Sequence, residues 1–149
     1  MDKWDLRYYE LARHISEWSK DPSTKCGAVA VGRYGQILST GYNGFPRGIK
    51  DDPERLEDRS TKYETIIHAE MNCIYNAALS GISLKGSTLY VYGLPICSQC
   101  GLGIIQSQIK KVVFSMDNLP KRWKGSCSKT LELFRESETI YEYISKPTA

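Results

Sequence analysis

No apolar run in this sequence reaches roughly 18 residues, so no segment reads as a membrane-spanning helix. The first turns, MDKWDLRYYELARH, mix charge throughout and lack the apolar stretch of a signal peptide. A cytoplasmic protein is expected. A strong charge bias is also missing: 20 basic against 17 acidic residues leave +3, too little to demand a polyanionic partner. Cysteine is scarce and odd in number, five in 149 residues, which is poor material for a disulfide scaffold. No internal repeat, low-complexity tract or Pro/Ser-rich linker divides the chain, which predicts one domain over 1–149. With 41% hydrophobic and 25% charged residues, disorder throughout is excluded.

The hydrophobic pattern gives the elements. Trp4, Tyr8, Leu11, Ile15 and Trp18 recur at helical spacing and form a stripe expected to lie on a core, ended by Asp21-Pro22. Cys26 to Val31 and Gln36 to Thr40, with Gly-containing punctuation between them, predict a hairpin. A polar stretch from Tyr42 to about Tyr63 reads as a long binding loop or lid. His68 to Leu79 and Ser98 to Ser107 read as helices, Thr88 to Tyr92 and Lys111 to Phe114 as strands. Lys129 to Arg135 follows as a short helix, and Thr139 to Ile144 as a last strand. An antiparallel start followed by strand–helix alternation predicts an α/β fold with three α-β-α layers, a mixed five-stranded sheet with helices on both faces.

Chemistry concentrates at two helix starts. His68-Ala69-Glu70 opens one helix and Cys97-Ser98-Gln99-Cys100 opens another. Both starts fall at the same end of the sheet. One imidazole and two thiolates make a three-ligand zinc site, with a fourth position left for water, as catalytic zinc requires. The two-residue gap lets both sulfurs reach one ion, and positive helix ends favour thiolates. Glu70 stands one residue beyond Ala69, near such an ion without having to ligate it, where a carboxylate can take a proton from bound water and return it to a substrate. Ala69 is small enough to let a flat ring approach the backbone.

At these residues the sequence resembles the cytidine and deoxycytidylate deaminase superfamily, whose signature pairs H-A-E with P-C-x-x-C. Further pieces match its deoxycytidylate branch: Asp21-Pro22-Ser23-Thr24-Lys25, Gly41-Tyr42-Asn43-Gly44-Phe45-Pro46-Arg47-Gly48, Thr61-Lys62-Tyr63, Ile104-Ile105-Gln106 and Ile109-Lys110-Lys111-Val112. The resemblance covers roughly residues 5 to 115. It implies one catalytic Zn2+ held by His68, Cys97 and Cys100, with Glu70 as proton shuttle. It also implies a sugar contact from Asn43 and a pyrimidine contact from the Ala69 backbone, while Tyr63 is a candidate to close over the base. The implied reaction is attack of activated water at C4 of dCMP, giving dUMP and ammonia. A homo-oligomer, often hexameric, and in some members control by dCTP and dTTP, are implied as well.

Two departures stand out. Ile96 separates Pro95 from Cys97, so the turn into the helix must absorb one extra residue. Gly101 and Gly103 follow Cys100, each costing about 1 kcal/mol in a helix interior, so either the helix is loose or its backbone passes close to something. A second, structural zinc is not expected from His14 and the scattered cysteines; Cys26 and Cys73 read as small buried hydrophobes. Asn43-Gly44 is also a common turn dipeptide. Lys121-Arg122-Trp123-Lys124 carries the minimum for a phosphate or nucleic-acid contact but reads more simply as a solvated loop. Competing functions are the same chemistry on another free base or nucleoside, or on a base in tRNA or single-stranded DNA, and a non-catalytic zinc-stabilised interaction module. The weak charge and short basic segment argue against polynucleotides.

Overall fold

Five short segments rich in β-branched and small apolar residues pair into one sheet: β1 (Gly27–Val31), β2 (Ile37–Tyr42), β3 (Thr88–Tyr92), β4 (Lys111–Phe114) and β5 (Ile140–Tyr143). Their order is β2-β1-β3-β4-β5, with β1 antiparallel to both β2 and β3 and the pairs β3–β4 and β4–β5 parallel. The expected mixed sheet is therefore present. The computed structural model describes residues 2–117 and 119–144, so the ends of the expected 1–149 domain lie outside the described residues.

β1 is buried along its whole length and sorts its residues by size. Val29 and Val31 point to one face, where helix α1 (Lys3–Ser16) covers them with Tyr9, Ala12 and Ile15. Ala28 and Ala30 point to the other face, toward α4 (Ala69–Leu79), α5 (Ser98–Gln106) and α6 (Lys124–Ser137), which bury Cys73, Ile104 and Phe134 there. These three layers match the sequence expectation. Close approach is written into glycines: a Cβ on Gly41 of β2 would sit 2.3 Å from the Cys73 nitrogen of α4. On this close contact Asn72 and Asn76 of α4 donate to the Tyr42 and Thr40 carbonyls of the edge strand at 2.7 and 2.8 Å.

Three expectations are corrected. The apolar stripe of the first helix is rotated: Trp4 and Trp18 are 51% and 55% exposed, while Tyr9, Ala12, Ile15 and Ser16 are buried. Ala12 lies where Gly27 lets the helix touch the strand, so closeness rather than residue size selects the inner face. The stretch from Tyr42 to Tyr63 is not all loop, for it carries α2 (Pro53–Glu57) and enters α3 (Arg59–Thr65). Asp52 caps α2 through a 3.0 Å bond from Glu54 N–H and Pro53 opens it, a start signal present in the sequence. The last helix begins five residues before Lys129 and follows a 3-10 turn over Lys121–Trp123. Its start, KGSCSK, has poor helix propensity and is stabilised by packing on α5.

The segment after α1 is sewn to β2 and α3 by buried polar groups. The Asp21 carboxylate forms an ion pair with Lys62 at 2.8 Å and accepts from the Ser23 and Thr24 N–H groups at 2.9 and 3.3 Å. Burial opposes its charge, but the bonds from Lys62, Ser23 and Thr24 outweigh it and hold the carboxyl below the usual carboxylate range. A carboxyl held low contributes stability above its unfolded pKa and loses it as pH falls through the lower folded value. Lys62→Met leaves this buried charge with only its backbone, hydroxyl and Asn43 amide partners. We expect a loss of about 3 kcal/mol at neutral pH. Urea midpoints at neutral pH and below pH 3.8, the reference value for Asp21, should show the gap between wild type and variant shrinking in acid.

Candidate active site

His68 and Cys97 occupy equivalent places: each is the N-cap of its helix, in extended conformation (φ -70, ψ 156 and φ -73, ψ 163), and neither side chain caps its own helix. Their side chains are free to turn away from the helices and toward each other. His68 Nδ1 lies 3.4 Å from Cys97 Sγ and 3.3 Å from Cys100 Sγ. All three donor atoms lie within 4.8 Å of one another. Zinc–sulfur and zinc–nitrogen bonds of about 2.3 and 2.0 Å at tetrahedral angles place such donors roughly 3.5 Å apart, so the cluster fits a single zinc ion. The softness of two thiols and one imidazole suits the same metal. The two helix starts thus meet as expected.

The electrostatics of the cluster follow from its crowding. A hydrogen bond from Cys100 and the neighbouring His68 bring the Cys97 thiol down to about 4 against the opposing effect of burial. The Cys100 thiol moves up, because it donates to Cys97, is buried and faces Glu70. The bond to Cys97 raises His68. Glu70 on the first turn of α4 is 4% exposed, and burial pushes its carboxyl up to about 7.

His68 of the cluster lines a cavity of about 280 Å³, near the lower end of small-molecule pockets. Glu70, Ala69, Asn43 and Tyr63 all line it, so every sequence-selected residue reaches either the metal cluster or this cavity. Tyr63 does so from α3 rather than from a loop, and it is half exposed. Asn43 is not a turn residue. It follows β2, its Oδ1 accepts from Cys26 N–H at 2.8 Å, and its Nδ2 donates to the Thr24 carbonyl at 2.9 Å and to Asp21 at 3.4 Å. Both amide hydrogens are engaged, and one acceptor lone pair of Oδ1 is left over.

Basic residues also line the cavity. Arg59, Lys62 and Arg122 line the cavity, as do Ser23 and Thr24. Lys62 is spent on Asp21 and on Ser23 Oγ at 2.7 Å. Arg59 and Arg122 have no carboxylate partner among the ion pairs of the described residues. Arg122 belongs to the Lys121–Lys124 cluster that read as a solvated loop, and Trp123 of the same cluster stacks on His68, ring centroids 5.8 Å apart and planes at 25°. An aromatic set between cations was the available signal. The glycines after Cys100 answer the other open question: a Cβ on Gly103 would lie 2.5 Å from Met71 Sδ, and one on Gly101 3.0 Å from Thr130 Cγ2. This helix is tightly packed, not loose.

Comparison with known proteins agrees with the geometry. Residues 2–116 match the family model of the cytidine and deoxycytidylate deaminase zinc-binding region. An uncharacterized deaminase of Aliivibrio fischeri is 33% identical over 139 residues, covering 92% of this chain and 90% of that protein. Human deoxycytidylate deaminase is 37% identical over 120 residues, 77% of this chain and 66% of its own length. The crystal structure of dCMP deaminase from cyanophage S-TIM5 in complex with dCMP and dUMP superposes with a TM-score of 0.81 at 28% identity, over 97% of this chain and 99% of that one. A shared fold, a donor set fitted to zinc and likeness along most of the sequence lead to one conclusion: this chain belongs to the cytidine and deoxycytidylate deaminase family.

Proposed function

We propose that this deaminase converts dCMP and water to dUMP and ammonia, as one domain over residues 1–149 in the cytoplasm. The observation that carries the proposal is the lining of one cavity, which brings together His68 of the zinc-fitted cluster, the buried unligated Glu70 and the uncommitted Arg59 and Arg122. A nucleoside has no group for those arginines; a 5′-phosphate does, and guanidinium groups match phosphate geometry. The human relative carries the name of this activity, and the cyanophage structure holds dCMP and dUMP.

Zinc held by His68, Cys97 and Cys100 supplies the Lewis acid that makes water nucleophilic at neutral pH. Glu70 does the proton work. Its burial puts the carboxyl near 7, so it both accepts and releases a proton in the neutral range: it takes one proton from the attacking water and delivers it to ring N3, then takes the second from the new C4 hydroxyl and delivers it to the departing amine. Trp123, stacked on His68, walls the base side. The Ala69 backbone abuts the pyrimidine, Tyr63 closes over it, and the spare lone pair of Asn43 Oδ1 accepts from the sugar hydroxyl. Arg59 and Arg122 hold the phosphate, while Lys62 keeps the Asp21–Thr24 segment in place. Among the described residues no helix is long and apolar enough to cross a membrane. The five cysteines are free and buried, as a reducing compartment allows.

The reading includes a homo-oligomer, with a hexamer as the candidate form, and control by dCTP and dTTP. Exposed Tyr75, Leu79, Ile82 and Leu102 on and beside α4 and α5 support association. Light scattering that returns a monomer mass across micromolar concentrations removes that part, and flat responses to dCTP and dTTP remove the regulatory part.

Product assays with dCMP, dCTP, cytidine, deoxycytidine and an oligonucleotide should show dCMP as the preferred substrate; turnover of the oligonucleotide alone would overturn the proposal. Glu70→Gln should lower kcat by at least about a hundredfold while zinc content and thermal midpoint stay as in wild type. Equal loss of zinc and activity would instead give Glu70 a structural role. Arg59→Ala and Arg122→Ala should each raise KM for dCMP by about tenfold, the worth of one charge-assisted hydrogen bond, and leave deoxycytidine turnover unmoved. Equal effects on both substrates would place the phosphate elsewhere.

A further inference from the structure

The extra residue before the cysteine pair has a structural counterpart on α6. Ile96 is fully buried, and its carbonyl accepts from Thr130 Oγ1 at 2.9 Å. The same hydroxyl lies 3.1 Å from the Ser126 carbonyl within its own helix, so its single hydrogen favours the shorter contact across to Ile96. On the other side of Cys97, the Ser98 N–H donates to Ser126 Oγ at 2.8 Å, and the two serine hydroxyls lie 3.2 Å apart. That N–H is one of the free donors at the start of α5, and Cys97 does not cap it. Ser126 and Thr130 are four residues apart and so share one face of α6. Gly101 lets this face close in, for a Cβ there would meet Thr130 Cγ2 at 3.0 Å.

Cys97 is therefore gripped from both sides by one helix, through the carbonyl before it and the N–H after it. The same helix starts beside Trp123, which stacks on His68, a second donor of the cluster. We propose that Ser126 and Thr130 are positioning residues for the metal: α6 acts as a brace that fixes the direction of the Cys97 thiol and compensates for the turn lengthened by Ile96. Neither side chain is offered as a ligand, and both act through the backbone on either side of a ligand. This rests on the zinc reading of the site.

The obvious structural alternative is that Thr130 only fills space between α5 and α6. Thr130→Val keeps the shape and the methyl against Gly101 and removes the hydroxyl; Thr130→Ser keeps the hydroxyl and removes the methyl. Zinc affinity of the purified full-length protein is measured by competition with a chromophoric chelator, and the thiolate-to-metal absorption of the Co2+ form reports ligand geometry. Partners that orient metal ligands are typically worth ten- to a hundredfold in affinity. Thr130→Val should weaken zinc by about tenfold or more and shift the Co2+ bands, Thr130→Ser should restore both, and Ser126→Ala should weaken zinc in the same direction. Lys129→Ala, an exposed position on the same helix, should match wild type.

Wild-type affinity and Co2+ spectrum in Thr130→Val, with only a lower thermal midpoint, would overturn the brace. So would a Thr130→Ser variant as defective as Thr130→Val, since the methyl would then be responsible. If Thr130→Val does not fold, Ser126→Ala decides, and unchanged zinc affinity there is equally fatal. Wild-type protein that binds no zinc fails the zinc reading itself, a result separate from these.

Discussion

Everything chemical in this molecule depends on two helices beginning within a few ångströms of each other. α4 and α5 each start from an extended residue that leaves its side chain unspent on capping, and those residues are His68 and Cys97. Had either side chain satisfied its own helix, the 3.3 and 3.4 Å contacts of the cluster could not form. The sheet enforces the meeting. α4 is docked on β2 by a glycine and two asparagines, and α5 leaves the end of β3, two strands away across β1. The N-terminal ends of both helices lie beside the cluster, where their positive potential favours thiolate and carboxylate charge.

That volume also has to be dry to be useful. Burial is what lifts Glu70 to about 7, and burial likewise raises the thiols of Cys26, on the cavity lining, and Cys73, in the core, to about 12. One physical cause yields opposite uses. A carboxyl moved from 4.5 into the neutral range suits the proton work proposed for Glu70, whereas a thiol moved away from that range suits inert packing. Among the cysteines Cys97 alone departs in the other direction, because hydrogen bonds from Cys100 and His68 outweigh its desolvation.

Local signals carried much of this fold, and their failures share one origin. β3 and β4 coincide with the residues expected from the runs TLYVY and KVVF, since fully buried strands need nothing beyond β-branched and aromatic content. His68, Cys97, Cys100 and Glu70 were readable because metal chemistry restricts residue type and spacing so severely. Misread positions are those whose environment is made by residues distant in the chain. Ala12 and Ser16 are buried because Gly27 is bare, a fact about the pairing of α1 with β1 rather than about α1. Trp123 and Arg122 looked like a solvated cluster because nothing nearby in sequence shows His68 and the cavity waiting beside them. Asn43 was chosen for a ligand contact, and the structure adds that three of its four hydrogen-bonding positions already fasten the cavity wall.

This double duty has a consequence for how the cavity is charged. Lys62 looks like the natural anion site, central and cationic, yet its ammonium has three hydrogens and they face both Asp21 oxygens and Ser23. An ion pair this buried is nearly neutral to an incoming ligand, since the two charges cancel at distances beyond their own separation. The net positive field at the rim therefore comes from Arg59 and Arg122, which sit on different elements, α3 and the 3-10 turn ahead of α6. A dianionic group drawn between them would bridge those elements over the cavity mouth. On the proposed reading, holding the charged end there would fix the reacting end against the cluster, which is how contacts remote from the chemistry come to matter for it.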